Sequence, residues 1–266
     1  MIEIAKKAAY AAGEILREYF RKIPEAAVRQ KTKNDFLSFV DEESEKKIVS
    51  IIHSAYPDHE FLAEEGGRSG ASGDYLWIID PLDGTKNYLS GIPVFAVSIA
   101  LQFKDELTLG VIYDPMRDEL FSAQKGQGAL LNGQSIEVSK KGELGQCLIA
   151  TGFPFKAKKF LPVYLRAFED IFQRSIGMRR MGAAAIDLAY LACGRFDGFW
   201  EIGLSPWDVA AGTLIIREAG GEVSDFWKGD RFLWNHYLLA SNGLIHDSLV
   251  KILKKHFKTY QAVYKK

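Results

Sequence analysis

Cysteine is scarce in this chain: Cys147 and Cys193 are the only two among 266 residues. They form no disulfide framework and no metal-ligand spacing, which suits a reducing compartment. No segment reaches the ~20 apolar residues that a bilayer-spanning helix requires. The N-terminus, Met1-Ile2-Glu3-Ile4-Ala5-Lys6-Lys7, sets an acid among its bases and lacks the apolar run of a signal peptide. An excess of charge is missing as well, because Lys+Arg and Asp+Glu both count 34. Bulk electrostatics therefore points to neither a nucleic acid nor a membrane surface as partner. Repeats, low-complexity segments and linkers are absent too. The chain is expected to be soluble and cytoplasmic.

What is present is core material, with 47% hydrophobic residues. That is enough for one unit over 1–266, expected to have two lobes, roughly 1–145 and 146–266, with a cleft between them. Ala8, Ala12, Ile15, Leu16, Tyr19 and Phe20 recur at helical spacing, so a helix is predicted over 1–23, ending before Pro24. Residues 31–35 read as a polar loop. Asp41 reads as the N-cap of a helix reaching about Tyr56. Phe61-Leu62 is a short strand, and the glycines and serines of 66–73 suggest a flexible surface loop.

Strands over 94–101, 107–113, 120–123 and 129–131, punctuated by glycines and Asp114-Pro115, form an antiparallel meander. Further on, a strand near Ile149, a helix over about 158–174 and a helix carrying Leu188 and Leu191 are predicted. A strand over 196–201, a helix from Asp208 to Ala219, strands at Val223 and 237–240, and a helix over 245–257 complete the chain. Helix pairs alternating with meanders fit layered α/β packing.

One stretch organises the rest: Trp77-Ile78-Ile79-Asp80-Pro81-Leu82-Asp83-Gly84-Thr85-Lys86-Asn87-Tyr88. Three bulky apolar residues mark the end of a buried strand. Proline lacks an N–H and holds the residue before it extended, so Asp80 is fixed at the strand's end. Asp80 and Asp83 can then converge, with the Leu82 carbonyl between them. Gly84 lets backbone approach a ligand, and Thr85 offers a hydroxyl and an N–H where a short helix begins. The plain alternative is a solvated Asp-Gly turn.

The neighbourhood favours chemistry. Glu64-Glu65, then Asp80-Pro81-Leu82-Asp83-Gly84-Thr85, then Trp207-Asp208 resembles the inositol monophosphatase family of magnesium-dependent, lithium-sensitive phosphatases. The resemblance extends over nearly the whole chain, including Gly126-x-Gly128-Ala129-x-x-Asn132-Gly133 and Glu218-Ala219-Gly220-Gly221. It implies an α/β/α/β/α sandwich of the inositol monophosphatase and fructose-1,6-bisphosphatase type. It also implies hydrolysis of inositol 1-phosphate or a related polyol or sugar phosphate, in a homodimer whose interface the apolar meander could supply.

The site residues follow from the same resemblance. Glu64, Asp80 and the Leu82 carbonyl would hold one ion; Asp80, Asp83 and Asp208 a second; a third would lean on Glu64. An all-oxygen donor set selects a hard cation, Mg2+ with Mn2+ as a substitute, over zinc. Two carboxylates ~5 Å apart repel by roughly 3 kcal/mol at an effective dielectric of 20, so the acids need cations or protons.

A metal-activated water would attack phosphorus directly, oriented by Thr85 with Asp41 or Glu64 behind it. The N–H groups of Gly84 and Thr85 would take phosphate oxygens. Gly182, Ala183, Ala184 and Glu201 would meet the alcohol, and Asp83 and Asp208 would also contact the substrate. Lys31 or Lys33 matches the family's catalytic-loop lysine. Plainer roles compete: a helix cap for Asp208 or Asp41, and a strand-edge position for Glu201. Competing functions are a 3'(2'),5'-bisphosphate nucleotidase, a fructose-1,6-bisphosphatase, and a scaffold that keeps the fold for a macromolecular partner.

Overall fold

Side-chain periodicity accounts for most of the elements. Ala5, Ala8, Ala9, Ala12 and Leu16 return to one side every three or four residues, and that side is buried in helix α1 (Ile2–Tyr19). The structure, a computed structural model, describes residues 1–23, 28–32, 35–155 and 157–260, with the backbone alone over 28–32 and 35–38. Lys33 and the Lys31 side chain thus lie outside the described residues.

Where a polar loop is expected over 31–35, β1 (Val28–Thr32) pairs antiparallel with β2 (Asp35–Ser38). A two-stranded ribbon is held by backbone groups, so it leaves little apolar signature. Helix α2 (Phe39–Ala55) starts ahead of Asp41, which therefore lies in the first turn instead of capping it.

Strand β3 (Glu60–Ala63) precedes β4 (Gly67–Gly70), which occupies the segment expected to be a flexible loop. Gly-Arg-Ser-Gly has little strand propensity, but as an edge strand it needs only the antiparallel pairing with β3, to which Arg68 adds an ion pair with Glu60. Then follow β5 (Tyr75–Asp83), α3 (Thr85–Leu89), β6 (Ala96–Phe103), β7 (Glu106–Asp114), β8 (Glu119–Gln124), β9 (Ala129–Leu131) and β10 (Gln134–Ile136). The second half of the chain contains β11 (Leu148–Thr151), α4 (Leu161–Phe172), β12 (Gly177–Arg179), α5 (Ala184–Ala192) and β13 (Gly198–Ile202). Last come α6 (Pro206–Glu218), β14 (Glu222–Ser224), α7 (Phe232–Asn235), β15 (Tyr237–Ser241) and α8 (His246–Phe257).

Among the described residues, two larger sheets are present. One has the order β10-β9-β8-β7-β6-β5-β3-β4 and is antiparallel throughout, apart from the parallel β3–β5 pair. The other has the order β12-β11-β13-β15-β14, with β11 parallel to both of its neighbours. Alternation along β5 divides its side chains between two cores. Trp77 and Ile79 pack with α1 and α2, whereas Leu76 and Ile78 join α5 and α6 on the other face. On β13, Phe199 joins that same middle core, while Trp200 and Ile202 pack outward with α4 and α8. The layers therefore run helix, sheet, helix, sheet, helix, as expected.

The middle layer is tight. Helix α5 is buried all round, in keeping with a sequence that is apolar except for Asp187. A side chain at Gly212 of α6 would strike Leu188 of α5, and one at Gly110 of β7 would strike the Ala211 backbone. No helix among the described residues is long and apolar enough to cross a membrane.

Candidate active site

Both sheets aim an acid into the middle layer. Asp80 follows Ile78 at period two, and Glu201 follows Phe199 in the same way, so each carboxylate points toward the starts of α5 and α6. The β5–β6 register slips between Asp80 and Asp83. This bulge lies at Pro81-Leu82 and turns Asp83 back toward Asp80.

Local hydrogen bonds fix each acid. Asp80 Oδ1 accepts the Leu82 N–H at 2.9 Å. Asp83 Oδ2 accepts the Ala185 N–H at 2.7 Å, from the first turn of α5. Asp208 lies in the first turn of α6, and its Oδ2 accepts the Ser205 N–H at 2.6 Å. The cap of that helix is Ser205, so Asp208 supplies the reciprocal bond of a capping box while leaving its other oxygen for the cleft. Asp80, Asp83 and Asp208 each bring a carboxylate oxygen within 4.8 Å of the others.

Glu64 lines the same cleft from the end of β3 and donates its N–H to the Ile79 carbonyl at 3.1 Å. Burial pushes the Asp80 carboxyl well above the ordinary range, and the charges of Glu64, Asp83 and Asp208 push it the same way. Asp83 is raised by burial first and then by Asp208.

Thr85 Oγ1 lies 3.0 Å from the Leu82 carbonyl and 3.3 Å from Asp41 Oδ1. Gly84 takes φ +94°, and a side chain there would strike the Val94 carbonyl and Ala183. Gly182, Ala183, Ala184 and Glu201 line the cleft with Gly84 and Thr85. Apart from the lysine at 31 or 33, whose side chain lies outside the described residues, all the expected site residues except Asp41 line this one cleft, and Asp41 reaches it through Thr85.

Several residues support these, of which Asn87 and Lys86 belong to the 77–88 stretch while Glu45, Gly152, Phe155 and Arg180 are not evident in the motifs. Glu45 accepts the N–H groups of Glu65 at 2.8 Å and Gly66 at 2.7 Å, and so shapes the turn that carries Glu64. Its trace in the sequence is an acid on the apolar face of α2, in step with Asp41, Ile48 and Ile52. Asn87 donates to the carbonyls of Val94 at 2.8 Å and Met181 at 2.9 Å, tying the β5 turn to the 181–184 segment. Gly152 lies directly against the Glu201 carboxylate, where a side chain would collide. Lys86, Phe155 and Arg180 complete the wall.

Asp187 is buried behind the cleft with Oδ1 unpartnered, and burial, Glu201 and Asp83 all raise its carboxyl well above the usual range. A carboxyl raised by folding contributes stability below its unfolded pKa that is lost as pH climbs through the folded value. Asp187→Asn removes that loss, so thermal melts at pH 8 are expected to show a higher Tm than wild type, by about 2–4 °C per kcal/mol recovered. At pH 4 the difference is expected to shrink.

The sequence profile of the inositol monophosphatase family matches residues 1–258. The chain belongs to that family. It is 44% identical over 261 residues to the Nus factor SuhB of Pseudomonas aeruginosa, covering 96% of each chain. Among solved structures it superposes on the extragenic suppressor protein suhB of Bartonella henselae with a TM-score of 0.92 at 41% identity, covering 95% of this chain and 98% of that one. The inositol monophosphatase of Anabaena gives 0.87 at 40% identity, covering 96% and 95%.

Proposed function

We propose that the protein is a magnesium-dependent phosphomonoesterase acting on inositol 1-phosphate or a related polyol or sugar phosphate. The observation that carries this reading is the meeting of Asp80, Asp83 and Asp208 oxygens within 4.8 Å in a cleft that also holds Glu64 and Thr85. The donors fit a hard divalent cation: all are oxygens, and no histidine or cysteine lines the cleft among the described residues. The raised carboxyls fit as well, since protons stand where positive charge is wanted.

Glu64, Asp80, Asp83, Asp208 and the Leu82 carbonyl would hold two ions, or three with a looser one at Glu64; Mn2+ suits the same set. When bound, the metal supplies a lowered water pKa and positive charge at the leaving oxygen. The protein's own groups do the positioning. A Thr85 hydroxyl that donates to Asp41 turns its lone pairs toward a water and orients it. The Gly84 and Thr85 N–H groups take phosphate oxygens, and the positive φ of Gly84 lets the backbone come close. Glu201 accepts hydroxyl protons of the alcohol, while Gly182, Ala183 and Ala184 line its seat. In this reading water is the nucleophile, and no phospho-enzyme is implied.

Two substitutions probe the alcohol side. Glu201→Gln keeps the shape but loses a charged acceptor, and is expected to raise KM for inositol 1-phosphate about tenfold with kcat little changed. Gly152→Ala pushes the Glu201 carboxylate off its seat, with an expected loss in kcat/KM of about 10²-fold from misplacement and near-normal far-UV dichroism. Phosphate release from a panel of inositol 1-phosphate, fructose 1,6-bisphosphate and adenosine 3',5'-bisphosphate, with and without magnesium, tests the assignment. No metal-dependent release from any of them would reject it.

A second reading has support of its own. The similar Pseudomonas protein bears the name Nus factor, which favours a transcription-related partner beside catalysis or in place of it. A second copy of this chain is also proposed, and Leu161, Leu165, Phe172 and Ile176 offer it an exposed apolar strip on and after α4. The meander is less suited, since its apolar side chains are largely buried in the two cores.

A further inference from the structure

We propose that Glu218 is a positioning residue for the metal centre. It pins the last turn of α6 to the Gly126-Gln127-Gly128 turn, and thereby sets Asp208, at the other end of the helix, against Asp80 and Asp83. The proposal rests on the phosphatase reading and deepens it. It gives a role to Gly126-x-Gly128 and Glu218, which stand outside the cleft.

Glu218 is the last residue of α6, roughly 15 Å from Asp208 at 1.5 Å per residue. The helix dipole favours cations at that end, so helix stability alone does not explain a carboxylate there. What holds it is a pair of amides from the turn between β8 and β9. The Gly126 N–H donates to Oε1 at 2.8 Å, and the Gly128 N–H donates to Oε2 at 2.9 Å. Both glycines take positive φ, +75° and +78°, a backbone path that turns two N–H groups toward one anion. Beside this clasp, Val138 donates its N–H to the Ala219 carbonyl at 3.1 Å.

The flanks of α6 leave its axial position to its ends. A Cβ on Gly110 would strike the Ala211 backbone, and one on Gly212 would strike Leu188. Contacts of this kind fix how near α6 lies to β7 and α5. Small residues, however, offer few ridges to resist travel along the axis. At the cleft end, Ser98 Oγ donates to the Trp207 carbonyl at 3.1 Å. Glu218 is the opposing stop.

Asp208 depends on that stop more than its neighbours do. One of its oxygens is committed to the Ser205 N–H at 2.6 Å, so the carboxylate travels with the helix. A metal-binding constellation tolerates only about 0.5 Å of displacement. Asp80 and Glu64 belong to strands of the first sheet and do not share this dependence.

Manganese titrations of the full-length protein without substrate, followed by electron paramagnetic resonance, test the proposal. Glu218→Ala is expected to weaken the ion held by Asp208 about tenfold, while the ion beside Glu64 binds as in wild type. Glu218→Gln should fall between, because its amide offers one acceptor oxygen to two N–H groups. Asn132→Ala is the control. Asn132 braces the same hairpin by accepting the Leu120 N–H at 2.8 Å and donating to the Asp118 carbonyl at 3.0 Å, and neither bond reaches α6. Its loss should lower Tm and leave manganese binding unchanged.

Wild-type affinity in both Glu218 variants overturns the proposal. So does an equal weakening in Asn132→Ala, which would mark a general loosening of the fold. If Glu218→Ala is unfolded at the titration temperature, Glu218→Gln alone decides. Phosphate release from inositol 1-phosphate is read on the same samples. Binding that depends on Glu218, without release from wild type, rejects the phosphatase reading alone. Release from wild type, with binding that ignores Glu218, rejects the positioning role alone. A wild-type cleft that takes up no manganese overturns both.

Discussion

Asp83→Asn is expected to lower phosphate release by about 10³-fold or more, because a lost metal-binding carboxylate forfeits several kcal/mol of charge stabilisation in the transition state. The fold should survive. Asp83 holds the Ala185 N–H through Oδ2, and the carbonyl of an asparagine can accept the same bond. The substitution also removes one of the charges that crowd Asp208 and Asp80. Thermal melts in chelator are therefore expected to match or exceed wild type. Full activity in the variant would reject the metal assignment, and a collapsed melt would show that Asp83 is needed for folding.

The second large effect is on stability. Asp80 and Asp83 are both raised well above the ordinary carboxylate range, by burial first and by neighbouring acids next. In the range between the unfolded and folded pKa values the native state holds more protons than the unfolded chain. The metal-free protein therefore loses stability as pH rises, and the contribution of these groups is complete only below the unfolded value. Magnesium should reverse the loss. A ligand at 100 times its Kd adds about 2.7 kcal/mol, or roughly 5–10 °C in Tm for a chain of this size. Protons compete for the same oxygens, so the magnesium gain should be larger at pH 8 than at pH 6. Melts across that range with magnesium or excess chelator check both the sign and the size; a gain independent of pH would contradict the proton competition.

Much of the site was legible because its parts are contiguous. Asp80 to Thr85 lie on one strand end and the turn after it, where proline, glycine and two acids leave a dense local signal. Layered α/β packing could be read from apolar periodicity, since α1, α2, β5 and β6 bury one clear face or alternate cleanly, whereas the five-layer order followed from the family resemblance.

The remaining features depend on contacts that sequence spacing does not encode. The β1–β2 ribbon and β4 are held by backbone pairing, so polar residues 31–35 and the glycines of 66–73 gave no strand signal. Gly152 matters because Glu201 arrives from a different strand, and Arg180 because Gly182 leaves it room. Glu45 was visible only as an acid on an apolar helical face, a pattern that burial and its two N–H partners explain.

Anomalous diffraction from manganese-soaked crystals addresses the central claim most directly. The account predicts manganese peaks between the oxygens of Asp80, Asp83 and Asp208 and beside Glu64, and their loss in Asp83→Asn at the position that residue shares with Asp208. A wild-type cleft without manganese at saturating concentration, or peaks only at surface carboxylates, would contradict it.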